Sequence, residues 1–259
     1  MITTDGNPSC TTASATDGHI ELSITSRQLY ADVALIRLSP CGAGALRHGP
    51  GQYLDVLFAD GQRRSFSIAN APCEHGTIEL HMRLGADGGT TRKGVMEMQV
   101  GDRVKVAGPF GTLHDALADA LASPPATTIV LIAGGTGYAA LRAVAAEVLQ
   151  TLPTRPVYFY WGARSRGQHY DEVTMRQWQR HFPRFMYVPV VSEDDCGEDA
   201  RAGVPHAAAM QDHADLSNHH VFLCGPAPMT DAASAALLAA GLPAARLHQD
   251  TPQASRRVP

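Results

Sequence analysis

The hydrophobic pattern changes period once, near residue 111, and that change restricts the fold more than any other feature of the chain. Before it, apolar residues alternate with polar ones: Ile20, Leu22 and Ile24; Leu54, Val56 and Phe58; Ile78, Leu80, Met82 and Leu84; Val104 and Val106. A period of two belongs to strands with one buried face. Turns rich in glycine and proline separate these runs, at GPGQ, NAPCEHG, GADGG, VGD and GPFG. Short alternating strands at this spacing predict a small antiparallel barrel. After Gly111 the apolar runs become continuous: IVLIAGG, VYFYWGA, MYVPVVS and HVFLCGP, each followed by a helical or mixed segment. Continuous runs alternating with helices predict a parallel sheet covered on both faces.

The chain therefore divides into a β-barrel over residues 19–112 and an α/β unit over 127–250. A helical linker over 113–126 ends at Pro124 and Pro125. Residues 1–18, rich in Thr, Ser, Ala, Gly and Asp, have the composition of a disordered tail, and 251–259 form a second tail. A length of 259 residues is enough for two modest domains. A net charge of −4 without a long Lys/Arg block argues against nucleic acid as a partner. No apolar run reaches the roughly 18 residues that span a bilayer, so no membrane segment is expected. The opening MITTDGNPSC lacks the pattern of a secretory signal. The five cysteines are scattered without a C-x-x-C pair, which excludes a zinc clamp and a plant-type iron–sulfur loop. A reduced, cytoplasmic protein is the expectation. His213, His219 and His220, the histidines nearest Cys224, lack an i,i+4 pair or a carboxylate at motif spacing, so no metal is expected.

The strongest local signal in the second half is IVLIAGGTGYAALRAVAAEVL. A buried strand over 129–133 runs into Gly134, Gly135, Thr136 and Gly137, and a helix follows with Leu141, Val144, Val148 and Leu149 on its apolar side. Strand, turn and helix in this order bring backbone N–H groups and a helix N-terminus up to a phosphate. The turn is not the G-x-G-x-x-G fingerprint, and a plain βα turn accounts for it equally. CGPAPM, at 224–229, lies at the carboxyl end of another apolar run, where ligands of open α/β sheets lie. Cys224 reads either as a buried structural thiol or as a small polarizable edge for a flat ring.

RSFSIAN at 64–70, GGTG at 134–137 and CGPAPM at 224–229, in this order and spacing, resemble the ferredoxin–NADP reductase superfamily. Within it the chain looks most like NAD(P)H-flavin reductases and oxygenase reductase components lacking an iron–sulfur domain. GPGQYLDV and GDRVKVAGPFG also match the family's pattern, and the resemblance covers about residues 19–250. It implies an N-terminal antiparallel six-stranded flavin-binding barrel followed by a parallel-sheet nucleotide-binding domain.

The resemblance also implies roles. Arg64 pairs with a flavin phosphate, where a planar guanidinium donates two parallel hydrogen bonds. Phe66 lies against the isoalloxazine ring or the ribityl chain, and Ser67 puts its hydroxyl near flavin N5. Ser65 and Asn70 complete the motif. Gly88, Gly89, Thr90 and Thr91 form the loop that binds the FAD pyrophosphate. Gly134, Gly135, Thr136 and Gly137 cradle the pyrophosphate of the pyridine nucleotide. Cys224 and Pro226 border the nicotinamide, Gly225 leaves it room, and Met229 packs nearby. Ser67 and Cys224 are the expected catalytic pair. The chain departs from the family in two places: Ala140 stands where proline is usual, and after the last strand Asp250 matches but the expected aromatics are replaced by residues such as His248 and Pro252.

The implied activity is NAD(P)H-dependent hydride transfer to FAD or FMN, supplying reduced flavin or electrons to a separate monooxygenase or dioxygenase. The alternatives are an FAD-bound reductase of a separate ferredoxin and a non-catalytic regulatory subunit. Glu193, Asp194 and Asp195 follow MYVPVVS and would repel a 2′-phosphate, so NADH is expected over NADPH, with Arg164 and Arg166 as counterweights.

Overall fold

Alternation in the first half produces strands whose odd and even residues separate onto two faces. The structure, a computed structural model, describes residues 19–41, 46–74, 76–85, 89–194 and 196–250. Both tails, Gly88 and Asp195 lie outside the described residues. The first sheet contains β1 (Ile20–Tyr30), β2 (Val33–Pro40), β3 (Tyr53–Leu57), β4 (Arg63–Ser67), β5 (Ile78–Arg83) and β6 (Arg103–Phe110), with helix α1 (Thr90–Glu97) between the last two. Its strands run antiparallel in the order β4-β3-β6-β1-β2-β5, and a bridge from Ile68 to Leu80 joins the two outer strands. The sheet thus curls into a barrel around Leu22, Ile36, Leu38, Leu54, Val56, Leu80 and Met82, each fully buried. Helix α1 plugs one end with Val95. It approaches so closely that a Cβ on Gly94 would collide with the Phe58 ring.

The second half opens with α2 (Leu113–Ala122) and builds β7 (Thr128–Gly134), α3 (Tyr138–Thr151), β8 (Val157–Ala163), α4 (Glu172–His181), β9 (Phe185–Val191), β10 (Arg201–Ala202), α5 (Pro205–Asp212), β11 (His219–Cys224), α6 (Ala227–Ala239) and β12 (Leu247–Gln249). All neighbouring strands are parallel, in the order β10-β9-β8-β7-β11-β12. Helices α2, α3 and α4 cover one face, and α5 and α6 the other. The linker helix is more than a connection: Leu113, Leu117 and Ala120 are buried in the core beside α3. Strand order reverses between β7 and β11, and that switch point opens the crevice where open α/β sheets bind ligands. Among the described residues, no helix is long and apolar enough to cross a membrane.

Strand β5 joins the two halves. Ile78, Leu80 and Met82 face the barrel core, so Glu79, His81 and Arg83 project from the other side. Glu79 and His81 are nonetheless buried, because the first turn of α3 and the segment before α4 cover them.

Candidate functional site

Two clefts meet where β4 of the barrel faces the carboxyl ends of β7 and β11. The larger, of ≈ 350 Å³, is lined by Arg64, Ser65, Phe66, Ser67 and Thr91 on the barrel side. Gly134, Thr136, Gly137, Cys224, Gly225 and Pro226 line it opposite. A second cleft of ≈ 240 Å³ continues past Gly135 and Met229 to Arg164 and Ser192. Gly134, Pro226 and Arg83 line both. Most of the residues expected from sequence therefore share one crevice.

The strand pairing explains the barrel wall. Ser67 stands opposite Tyr53 and Arg64 opposite Val56 at the open edge of the sheet. The Arg64 guanidinium is held by Nε donating to Thr91 Oγ1 at 3.3 Å and Nη2 to Gln62 Oε1 at 2.8 Å. That bond ties the expected phosphate cation to the first turn of α1. Ser65 donates to Asp55 Oδ1 at 2.6 Å, so its hydroxyl serves the neighbouring strand. Phe66 packs edge-on against Phe58 at 6.2 Å, with one side toward the barrel core. Among the described residues, the hydroxyls of Ser67 and Thr136 make no hydrogen bond and border the larger cleft. Two spare hydroxyls, a cation and a helix N-terminus form a donor set suited to a flat, phosphate-bearing ligand.

Two expected residues, Asn70 and Gly89, stand apart from the lining. Asn70 is buried, with its Nδ2 donating to Thr77 O at 2.8 Å and its Oδ1 accepting from Glu79 N at 2.7 Å; it closes the loop after β4. Gly89 caps α1, and Thr90 opens that helix.

The opposite wall is made of backbone. Only Gly135 of the turn has positive φ, +53°, and Trp161 Nε1 holds its carbonyl at 2.9 Å. Gly137 is required for a different reason. A Cβ there would collide with the Cys224 carbonyl, and one on Gly225 would come within 3.1 Å of Gly134 Cα. The ends of β7 and β11 thus pack main chain to main chain and leave a flat floor. Beyond it, helix α3 points its N-terminus at the crevice.

Among the described residues, no carboxylate lines either cleft. Burial, and then the charge of Asp250, pushes the Cys224 thiol up to about 12. It is therefore a neutral thiol near pH 7 rather than a thiolate nucleophile. Asp250 itself accepts from Thr112 N at 2.8 Å, which fastens the end of the second sheet to the start of α2. Sequence reasoning missed His81 and Arg83. Both lie on the outer face of β5, a position that alternation of IELHMR identifies but whose surroundings it leaves open. Arg83, paired with Asp32 at 2.9 Å, stands at the joint of the two clefts. Arg166 bonds Glu172 at 3.0 Å, while Arg164 lines the second cleft. Among the described residues, no three His, Cys, Asp or Glu side chains form a metal-binding group. The histidines near β11 pair with one another instead, His213 with His219 at 3.2 Å and His220 with His248 at 2.9 Å.

Comparison with known proteins accounts for this geometry. The Oxidoreductase FAD-binding domain family matches residues 20–114, and the Oxidoreductase NAD-binding domain family matches residues 131–235. The chain is 33% identical over 202 residues to the CDP-6-deoxy-L-threo-D-glycero-4-hexulose-3-dehydrase reductase of Yersinia pestis, covering 78% of this chain and 59% of that protein. It is 32% identical over 221 residues to the terephthalate 1,2-dioxygenase reductase component 2 of Comamonas sp, covering 85% and 63%. The crystal structure of an Amycolatopsis cytochrome P450 reductase aligns with a TM-score of 0.80 at 29% identity, covering 89% of this chain and 68% of that one. The chain spans about three fifths of the length of these two curated relatives. With an FAD-binding and an NAD-binding oxidoreductase domain meeting at one crevice, it belongs to the ferredoxin–NADP reductase family, beside the reductase components of oxygenases.

Proposed function

We propose that the chain is an NADH-dependent flavoprotein reductase that passes electrons to a separate oxygenase. One observation carries the reading: Arg64, Phe66 and Ser67 on the barrel and Gly134, Gly137, Cys224 and Gly225 on the parallel sheet line a single cleft. The names of the relatives, reductase components of a dioxygenase and of a cytochrome P450, support the kind of partner.

Bound FAD supplies the hydride acceptor, and the nicotinamide supplies the hydride. The residues that would hold FAD are Arg64 and the start of α1 for its phosphates, Phe66 for its planar part and Ser67 for N5. The turn at 134–137 and the N-terminus of α3 would receive the nucleotide's pyrophosphate, with Arg83 adding a cation at the joint. Cys224, Gly225 and Pro226 form the edge against which a nicotinamide packs. The protein's task is then orientation of two rings, and a cleft walled by small residues and free of carboxylates suits it.

The preference for NADH rests on the turn after β9. The amides of Glu193 and Asp194 donate to Arg164 O at 3.0 and 3.2 Å, which latches an acidic turn onto the residue that would otherwise welcome a 2′-phosphate. Anaerobic titration with each nucleotide, followed by flavin absorbance, tests both parts. The expected result is FAD bound one to one and kcat/KM about tenfold higher for NADH, roughly 1.4 kcal/mol of discrimination. Glu193→Gln with Asp194→Asn should narrow that ratio. A wild-type advantage for NADPH ends the preference. A colourless protein that reduces added FMN or riboflavin replaces bound FAD with a diffusing flavin. Failure to bind any flavin or oxidise NADH ends the enzyme reading.

A further inference from the structure

Arg142 lines neither cleft, yet among the described residues it makes the densest set of polar contacts between the two halves of the molecule. It lies one helical turn beyond Tyr138 on α3, the helix that begins directly after the glycine turn. Its guanidinium crosses to the barrel, where Nη1 donates to Ala69 O at 2.8 Å. Nη1 and Nη2 each reach one oxygen of Glu74 at 3.2 Å. Nε faces Asp171 Oδ2 at 3.5 Å, an ion-pair distance. The side chain is only 12% exposed and lies over the Trp178 ring.

Both ends of this contact are held by further hydrogen bonds. On the barrel side, Ala69 is two residues from Ser67 and its amide donates to Glu79 O at 2.7 Å. Glu74 accepts from Ala71 N at 2.7 Å, so carbonyl and carboxylate belong to one pinned loop. On the other side, Tyr138 donates to Asp171 Oδ2 at 2.6 Å and stacks on Trp161 with ring centres 3.8 Å apart. Trp161 in turn holds Gly135 O. From Gly135 to Ala69, two residues from Ser67, the path is therefore a continuous series of packed and hydrogen-bonded contacts through Trp161, Tyr138, Asp171 and Arg142. Burial would lower the Arg142 pKa, but Tyr138, Glu74, Glu79 and Asp171 raise it, so the clasp stays charged.

We propose that Arg142 is a positioning residue: by clasping Ala69 and Glu74 it fixes the separation between the turn at 134–137 and the strand end carrying Ser67. The inference rests on the reading that hydride passes between ligands held at those two places. Hydride transfer is steep in distance, and a misplacement of about 1 Å can cost about 100-fold in rate. Lysine cannot replace the clasp, because it offers a point charge where two parallel donors and a third N–H are used.

The test compares Arg142→Ala, Arg142→Lys and Glu74→Gln with the wild type by two measurements. The first is the interdomain distance distribution between spin labels at Val100→Cys and Val173→Cys, positions 64% and 69% exposed, in a chain whose other cysteines are serine. The second is stopped-flow reduction of FAD-loaded protein by NADH and by its 4-deuterated form. The expected outcome for Arg142→Ala is a broadened distance distribution, FAD and NADH affinities within about threefold, and hydride transfer slowed about 30- to 100-fold. Arg142→Lys should keep affinity and folding without recovering the rate, and Glu74→Gln should fall between. A single narrow distance equal to the wild type in Arg142→Ala overturns the clasp, as does a rate loss matched by lost affinity. If Arg142→Ala does not fold, Arg142→Lys and Glu74→Gln decide: wild-type rate and distance in both overturn the proposal. Should the wild type fail to bind FAD or NADH, the functional reading falls, while the distance measurement still judges the clasp.

Discussion

Cys224 illustrates how one residue can occupy a reactive position without being reactive. It ends β11 and lines the cleft, but it is 8% exposed, and burial pushes the thiol up to about 12. The thiolate is the nucleophile, so reactivity follows exposure and a lowered pKa. Cys41, in contrast, is exposed. Iodoacetamide applied to the native chain at pH 8 should modify Cys41 and spare Cys224 until denaturant is added, as read by peptide mass spectrometry. Equal labelling of the two would show that the strand end is open. Sequence alone left two readings for this cysteine, a buried structural thiol or the edge of a flat ring, and its burial is common to both. The residues of RSFS were legible because a contiguous motif carries them. His81 and Arg83 were not, since alternation places them outside the barrel core but is silent on what covers that face. Asn70 went the other way: a polar residue at a motif's end, whose side chain the loop consumes.

Among the elements, the glycine turn was legible as a strand–turn–helix unit, and the reason for each glycine was not. A positive φ depends on one residue's backbone, whereas close approach depends on a segment far along the chain. Gly135 belongs to the first kind and Gly137 to the second. The two kinds should separate on substitution. Gly135→Ala places an L-residue at φ +53°, a strain of about 1 kcal/mol. Gly137→Ala drives a methyl into the Cys224 carbonyl, main chain that cannot rotate away, and should cost about 3 kcal/mol. Urea denaturation of both variants measures the difference, and equal losses would mean that the ends of β7 and β11 can part. The linker helix shows the same limit of local reading. Its Leu113 and Leu117 look like an amphipathic stripe, but the core that buries them is formed by α3, a later helix.

For the molecule as a whole, the two halves answer acid differently. The second sheet carries two histidine pairs near the amino ends of its strands. His213 shares contacts with His219 and Tyr160, and its Nε2 lies 3.2 Å from the Tyr160 hydroxyl. His220 lies between Ser123 at 3.0 Å and His248 at 2.9 Å. Burial first, and then the neighbouring imidazole, lowers His213 and His220 from 6.5 to about 4 each. A histidine whose folded pKa is depressed binds fewer protons in the folded chain than in the unfolded one between those values. Stability therefore rises with pH across that interval, is fully present above 6.5, and is lost progressively as pH falls toward 4. In the barrel, burial likewise lowers one histidine, His48, but the buried carboxylate there responds later. Burial would raise Glu79, but the hydrogen bond and charge of His81, then Arg37 and Arg142, hold it down at about 2 against 4.5. Its contribution is complete above 4.5 and disappears only below that. Acidification should thus loosen the parallel-sheet half first. Both tryptophans, Trp161 and Trp178, lie in that half, so their fluorescence reports it selectively. The expected Tm by tryptophan emission is level from pH 8 to 6.5 and falls by about 5 °C or more by pH 4.5. His213→Gln with His220→Gln should flatten that slope while leaving the fall below pH 4.5 in place. An unchanged slope in the double variant would move the acid response to other groups.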